Sequence, residues 1–471
     1  MHYPKLLISL IAVAALAGCG GGGSSGGTTS IKVQFGSQVV FGDSLSDVGT
    51  YKVGGVAALR GGLFNINGVG DGALTGKNWT ELMAAQLGLP APCPAQTGLQ
   101  GGDPAVGLSV PVVNHPECNG YAQGGARLFD VNGSGHGAPG GLLTLPVATQ
   151  IQNYLVNNGN RFKPDALVFL LAGGNEIFAQ VNGLTSGATA AGQAAGAAEG
   201  ARVGAQTFAS TLVQSLAATA TNPAQAAQAI GLALATENAR PGHTDQTVVG
   251  AAVTAAAQQP GNAAVASPAV FGPLVAAAQA AATTAGQAAG VTAGNAAAAS
   301  YVVSHAPLAV AEMGRLGAAF GNLIKTQIVA NGANYVTVLN IPDVSLTPFG
   351  LSATADQRNL VHTMVVTFND QLKAAVAGEP KILLADVYTA NLDQINNPAL
   401  HGLTSVTKTA CDLSPAKNPL GSALGCNLGN LVVASDDPSH YLFADSVHPT
   451  PFGYLLLARF VSKELIVKGW L

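Results

Sequence analysis

Short apolar runs bounded by turn residues recur along this chain and set its framework. Lys32–Phe41 reads as a first strand, Asp165–Leu171 (DALVFLL) as a second, Tyr335–Ile341 (YVTVLNI) as a third and Lys381–Asp386 (KILLAD) as a fourth. The later three are near-continuously apolar rather than alternating, the pattern of strands buried on both faces. Stretches of helical periodicity separate them. Asn78–Leu87 (NWTELMAAQL) predicts a helix that stops at Gly88, and Pro307–Ala330 and Leu360–Ala377 predict covering helices. Strands alternating with helices imply an α/β chain whose mostly parallel sheet is covered on both sides. A long Gly- and Pro-rich loop, about Pro90 to Gly141, interrupts the alternation early.

Between about Val181 and His305 the pattern changes. Ala, Gly, Gln and Thr dominate, with few aromatic and few charged residues. Ala and Gln favour helix and scattered glycines punctuate it, so several short helices inserted into the main domain are expected. The low charge is unlike ordinary polar disorder. Such an insertion serves either as a lid or lipid-facing cap, or as a passive addition.

Composition adds an exclusion. Only 9% of the 471 residues are charged and the net charge is −4, against roughly 25% charged in an average soluble protein. Nothing in that balance favours nucleic acid or an anionic surface as a partner. The N-terminus is more specific. Lys5 precedes an apolar core from Leu6 to Ala15, too short to span a bilayer, and Leu16-Ala17-Gly18-Cys19 closes it. The last four residues resemble the bacterial lipobox. That resemblance implies a signal peptide over residues 1–18, a lipid anchor on Cys19 and, with Gly20 rather than aspartate next, outer-membrane sorting. The plainer alternative is an ordinary signal peptide containing a cysteine. Residues 19–30, nearly all Gly, Ser and Thr after Cys19, read as a flexible tether to a folded domain spanning 31–471.

Setting Cys19 aside leaves Cys93, Cys118, Cys411 and Cys426. Three pairings are open to them, and the local one, Cys93 with Cys118 and Cys411 with Cys426, is preferred because both segments are Gly/Pro-rich loops. Their spacing does not suggest a metal site, and no histidine cluster accompanies them.

Candidate chemistry lies near the two ends of the folded domain. Val39-Val40-Phe41-Gly42-Asp43-Ser44-Leu45 places a serine hydroxyl just past an apolar strand, behind a glycine that permits a tight turn. Asp445-Ser446-Val447-His448 puts a carboxylate three residues before an imidazole. That spacing lets it hold Nδ1–H while Nε2 faces a serine. His440 and the other histidines compete, but only His448 combines this spacing with a following apolar, helix-like run, Gly453–Phe460. Two Gly-rich turns supply candidate donors for an oxyanion: Tyr121-Ala122-Gln123-Gly124-Gly125-Ala126 through backbone N–H, and Gly173-Gly174-Asn175-Glu176 through the Asn175 amide.

Taken together, these four segments resemble the conserved blocks of the GDSL lipases and esterases, the SGNH hydrolases. Gly42-Asp43-Ser44-Leu45 matches the block of the nucleophile. Tyr121–Ala126 resembles the block whose glycine N–H joins the oxyanion hole, a role that falls to Gly125, with Gly124 as the near alternative. Gly173–Glu176 resembles the Gly-x-Asn-Asp block, and Asp445-x-x-His448 the last. Two positions depart from the pattern: Glu176 stands for the usual aspartate, and Gly120 for an asparagine, with Asn119 one residue earlier.

The resemblance implies a three-layer α/β/α sandwich of flavodoxin-like SGNH type, carrying the Ala-rich insertion. It also implies cofactor-free acyl-ester hydrolysis by Ser44, His448 and Asp445, with Gly125 and Asn175 in the oxyanion hole. The substrates expected are acyl esters or phospholipids. Acyl transfer or polysaccharide deacetylation would use the same residues, and a lipoprotein that only binds a ligand on an inactive scaffold is the non-enzymatic alternative.

Overall fold

The computed structural model describes residues 33–68, 76–137 and 140–471. The expected signal peptide, Cys19 and the tether lie outside the described residues. Four strands form one sheet: β1 (Ser37–Gly42), β2 (Ala166–Leu171), β3 (Tyr335–Leu339) and β4 (Ile382–Ala385). Their spatial order equals their order in the chain, and every pairing is parallel, with Val39 opposite Val168 and Val168 opposite Val336. The four apolar runs are these four strands, the later three trimmed at their ends and β1 starting later and running on to Gly42. A parallel pair needs a crossover between its strands, and the helical stretches provide it.

Side chains alternate between two cores. Val39, Phe41, Val168, Leu170, Val336 and Val338 point to one side. There they meet helices α2 (Val147–Asn157), the end of α6 (Pro268–Leu323) and α7 (Ala355–Val376) through Ile151, Tyr154, Met313, Phe320, Met364 and Phe368. Val40, Leu167, Phe169 and Leu171 point to the other. They pack on α1 (Trp79–Gln86) and α8 (Pro451–Lys468) through Trp79, Met83, Tyr454 and Val461. The chain is thus mixed α/β with a parallel central sheet and helices against both faces. Asn78 caps α1 in a reciprocal box with Glu81, and Gly88 takes a left-handed φ of 68° just beyond its end.

The long early loop closes on itself. Gln96–Leu99 and Val110–Asn114 form a small antiparallel ribbon, and Asn119–Tyr121 runs beside β1 as an added edge. Cys93 and Cys118 are joined by a disulfide next to this edge. Gly120 sits where a Cβ would lie 2.6 Å from the Val48 side chain and 2.7 Å from the Cys93 carbonyl, so no larger residue fits there.

The Ala-rich stretch departs from the expectation of several short helices. Two long helices dominate it, α3 (Gly174–Ala217, 44 residues) and α6 (56 residues), with α4 (Pro223–Asn238) and α5 (Asp245–Ala257) between them. The glycines are the reason. At Gly192, Gly196 and Gly200 a Cβ would stand 2.9, 2.8 and 3.0 Å from the carbonyls of Gly294, Gly290 and Gly286. They allow two backbones to lie against each other, which more than offsets their poor helix propensity. Pro307, expected to open a helix, lies inside α6. A separate small core with Leu212, Leu216, Ile230 and Val253 holds the far end of this arm together.

Candidate active site

All four turns with candidate chemistry lie on one edge of the sheet or beside it. Ligands collect at the carboxyl ends of strands in open α/β sheets because backbone N–H groups and loops converge there. Ser44 follows β1 by two residues and Asn175 follows β2 by four. Gly42 has φ 149°, and a Cβ on it would lie 2.2 Å from the Leu171 carbonyl. Gln150 then clamps this residue: its amide accepts from Gly42 N–H at 2.9 Å and donates to Gly42 C=O at 2.8 Å. The turn that presents Ser44 is held on both sides.

His448 reaches this turn from the far end of the chain. Its Nε2 lies 2.8 Å from Ser44 Oγ, and its Nδ1 lies 2.9 and 2.8 Å from the two oxygens of Asp445. A carboxylate at Nδ1 keeps the proton there, which leaves Nε2 to accept from the serine hydroxyl. Asp445 also accepts backbone N–H groups from Val447, His448 and Ala423, at 2.9, 2.8 and 2.6 Å. Burial alone would raise its carboxyl, but the His448 ring and the N–H groups of His448 and Val447 outweigh burial and hold it down at about 2. Phe64 lies across the imidazole, with ring centres 4.9 Å apart. His440 instead turns to Asp437 at the surface.

The two glycines of the Tyr121–Ala126 turn are distinguished by their N–H groups. Gly124 N–H donates to Asp47 Oδ2 at 2.9 Å and is therefore occupied. Gly125 N–H and Ser44 N–H have no hydrogen-bond acceptor among the described residues. Gly125 has φ 78°, and a Cβ on it would lie 2.0 Å from the Ser134 carbonyl. Asn175 is buried at the start of α3, and its Nδ2 donates one bond to Ala126 C=O at 3.0 Å. The second N–H of that amide remains for a ligand.

Ser44, Gly125, Asn175 and His448 line one cavity of ≈ 540 Å³. Its remaining walls are largely apolar and include Phe64, Phe178, Ile341, Val344, Phe349 and Leu424. Such a cavity suits a ligand with a hydrocarbon portion next to a small polar group. Cys411 and Cys426 are joined by a disulfide that closes the loop carrying Leu424 and Ala423. No group of three or more His, Cys, Asp or Glu placed to hold a metal ion occurs among the described residues.

Several supporting residues escape a reading of the sequence. Gln150 and Ala423 carry no local signal, since their partners are 108 and 22 residues away. Asp47 lies three residues past Ser44, where an Asx turn onto Gly49 and Thr50 is readable but its bond to Gly124 is not. Glu176 stands out in the sequence only as a departure, yet its longer side chain accepts from Leu128 N–H at 2.8 Å and from Arg127 at 2.8 Å (Nε) and 2.7 Å (Nη2).

Comparison with known proteins points in the same direction. No family model matches the chain. It is 25% identical over 155 residues to the Arabidopsis thaliana GDSL esterase/lipase At2g40250, covering 28% of this chain and 40% of that protein. The GDSL esterase/lipase APG of the same plant is 29% identical over 150 residues, 30% of this chain and 41% of the relative. At2g30310, a third plant GDSL esterase/lipase, is 26% identical over 159 residues, 31% and 41% of the two chains.

The chain is similar to GDSL esterase/lipases. It spans about two fifths of the length of these relatives, at low identity. That supports the GDSL/SGNH family and a hydrolase acting on esters.

Proposed function

We propose that this protein is a serine carboxylester hydrolase that works through an acyl-enzyme on Ser44. One observation carries the reading: the continuous path Asp445–His448–Ser44 ends in the same cavity as two unoccupied N–H groups and the Asn175 amide. His448 Nε2 takes the Ser44 proton as Oγ attacks the ester carbonyl, and Asp445 stabilises the imidazolium that forms. The N–H groups of Ser44 and Gly125 and the free N–H of Asn175 receive the developing oxyanion. His448 then passes the proton to the leaving alcohol, and water, activated by the same ring, releases the acid. The apolar walls take up the acyl chain. Every step uses side chains and backbone groups of this chain, with no cofactor.

The helices on both sheet faces and the four ordered blocks support a three-layer SGNH-type sandwich as the frame for this chemistry. The Leu16–Cys19 segment supports a lipid anchor at Cys19 in a bacterial outer membrane, which would hold the enzyme beside acyl-ester or phospholipid substrates.

The test is Ser44→Ala in the exported protein, assayed on p-nitrophenyl esters of increasing chain length and on phospholipid. Hydrolysis is expected to disappear while the unfolding midpoint and export stay as in the parent, and an organophosphonate should label the parent but not the variant. Undiminished hydrolysis by Ser44→Ala would overturn the assignment.

A further inference from the structure

The Gly-rich turn that offers Gly125 is gripped on both sides by buried carboxylates, one from each of the other two donor-bearing segments. Asp47 belongs to the turn of Ser44. Its Oδ1 accepts from Gly49 and Thr50 N–H at 2.8 Å each, and its Oδ2 reaches across to Gly124 N–H at 2.9 Å. Glu176 belongs to the helix of Asn175. Its Oε1 accepts from Leu128 N–H at 2.8 Å, and its Oε2 pairs with the Arg127 guanidinium at 2.8 and 2.7 Å. Both carboxylates are almost completely buried, and neither lines the cavity. Gly125 lies between the gripped positions, with its N–H free and its carbonyl accepting from Ser134 N–H at 3.1 Å.

Resting on the esterase reading above, we propose that Asp47 and Glu176 are positioning residues that fix the spacing of the three oxyanion donors. Ser44 N–H comes from one segment, the Asn175 amide from a second and Gly125 N–H from a third. A tetrahedral oxyanion needs all three within hydrogen-bond reach of one point, and a shift of about 1 Å can cost ~10²-fold in rate. Asp47 ties the first segment to the third, and Glu176 ties the second to the third. The two grips differ in charge. Arg127 neutralises Glu176 and is itself held by Asp130 at 2.6 Å. Asp47 forms no ion pair among the described residues, so burial, partly offset by hydrogen bonds from Thr50, Gly124 and Gly49, pushes its carboxyl up to about 6.

Asp47→Asn turns an acceptor facing Gly124 N–H into a potential donor, and Glu176→Gln removes the charge facing Arg127 while leaving an acceptor for Leu128. Each variant, in the full chain, is assayed on p-nitrophenyl butyrate for kcat and KM. Each is also titrated with a trifluoromethyl ketone, which adds to the serine as a tetrahedral oxyanion. The expected result is a kcat lowered about tenfold to a hundredfold, ketone affinity lowered in parallel and KM within about threefold. Val461→Ala, which opens a gap in the core under α8 and removes none of the hydrogen bonds that grip the Gly124–Leu128 turn, serves as the stability control and should leave kcat and ketone affinity alone. Parental kcat and ketone affinity in both carboxylate variants, or an equal loss in Val461→Ala at matched stability, overturns the proposal. If the parent neither turns over the ester nor binds the ketone, the esterase reading itself falls, and this proposal with it.

Discussion

The backbone N–H of Ala423 donates to Oδ2 of Asp445 over 2.6 Å. This one bond connects a disulfide-closed loop, Cys411–Cys426, to the carboxylate that orients His448. The same loop carries Leu420, Ser422 and Leu424 to the cavity wall, so it shapes the site and steadies its imidazole together.

Asp445→Asn should keep the shape of this contact and reverse its polarity. An amide N–H facing Nδ1 favours the tautomer that places the proton on Nε2, where it can no longer accept from Ser44. We expect kcat to fall by about 10²–10⁴ with little change in KM, measured on a soluble p-nitrophenyl ester. A decrease of less than threefold would remove Asp445 from the mechanism.

Replacing Cys411 and Cys426 by serine should lower both stability and turnover. The bond closes a loop with a sequence separation of 15, for which chain entropy predicts about 3 kcal/mol. Ala423 would then hold Asp445 less firmly, so kcat should drop severalfold at temperatures where the protein is still folded. Denaturant titration and turnover on the same sample check this, and unchanged turnover would mean that the loop only stabilises.

The buried carboxylates make stability depend on pH in opposite directions. Burial, partly offset by Leu45 N–H and the nearby His448, pushes Asp43 up to about 6, and Asp47 is raised to about the same value. For both, the folded chain binds the proton more tightly than the unfolded chain. Their contribution therefore becomes more favourable as pH falls from about 6 towards the ordinary 3.8. Asp445, held at about 2, works the other way: its contribution is present above 3.8 and is lost as pH falls from there towards 2. Urea midpoints should rise between pH 7 and about 4.5, and the rise should be smaller in Asp43→Asn. Equal pH profiles in the two proteins would exclude Asp43 as a source.

The outer part of the arm should be dispensable for the chemistry. Only its base reaches the cavity, through Phe178 and Asn182, and its distal core is separate from those on the sheet. Gly196 and Gly290 face each other closely enough for a short turn to join the two helices there. A chain in which a short Gly-rich turn replaces residues 197–289 should hydrolyse short-chain esters with kcat/KM within about threefold of the parent. A selective loss on long-chain or aggregated substrates would instead make the arm a lid or lipid-facing cap.

Much of the site is legible in the sequence because its chemistry sits in compact segments. Ser44 behind Gly42, Asp445 three residues before His448 and Asn175 behind two glycines each carry their local geometry in a few residues. The choice between Gly124 and Gly125 is not legible, because it depends on where Asp47 sends its second oxygen. The long helices of the arm escape for a related reason: a glycine that weakens an isolated helix strengthens a pair whose backbones touch.

The order of apolar strands and helices determined a parallel α/β sheet, since near-continuous apolar runs can be buried only between two layers. The four short motifs determined which residue types were offered for acyl transfer. Tertiary structure alone decided that Ser44 and His448, 404 positions apart, lie within 2.8 Å. It also decided that Gln150, Asp47, Glu176 and Ala423 hydrogen-bond to Gly42, Gly124, Leu128 and Asp445 around the cavity. Those contacts join segments far apart in the chain, and their distances exist only once the sheet has stacked its carboxyl ends along one edge.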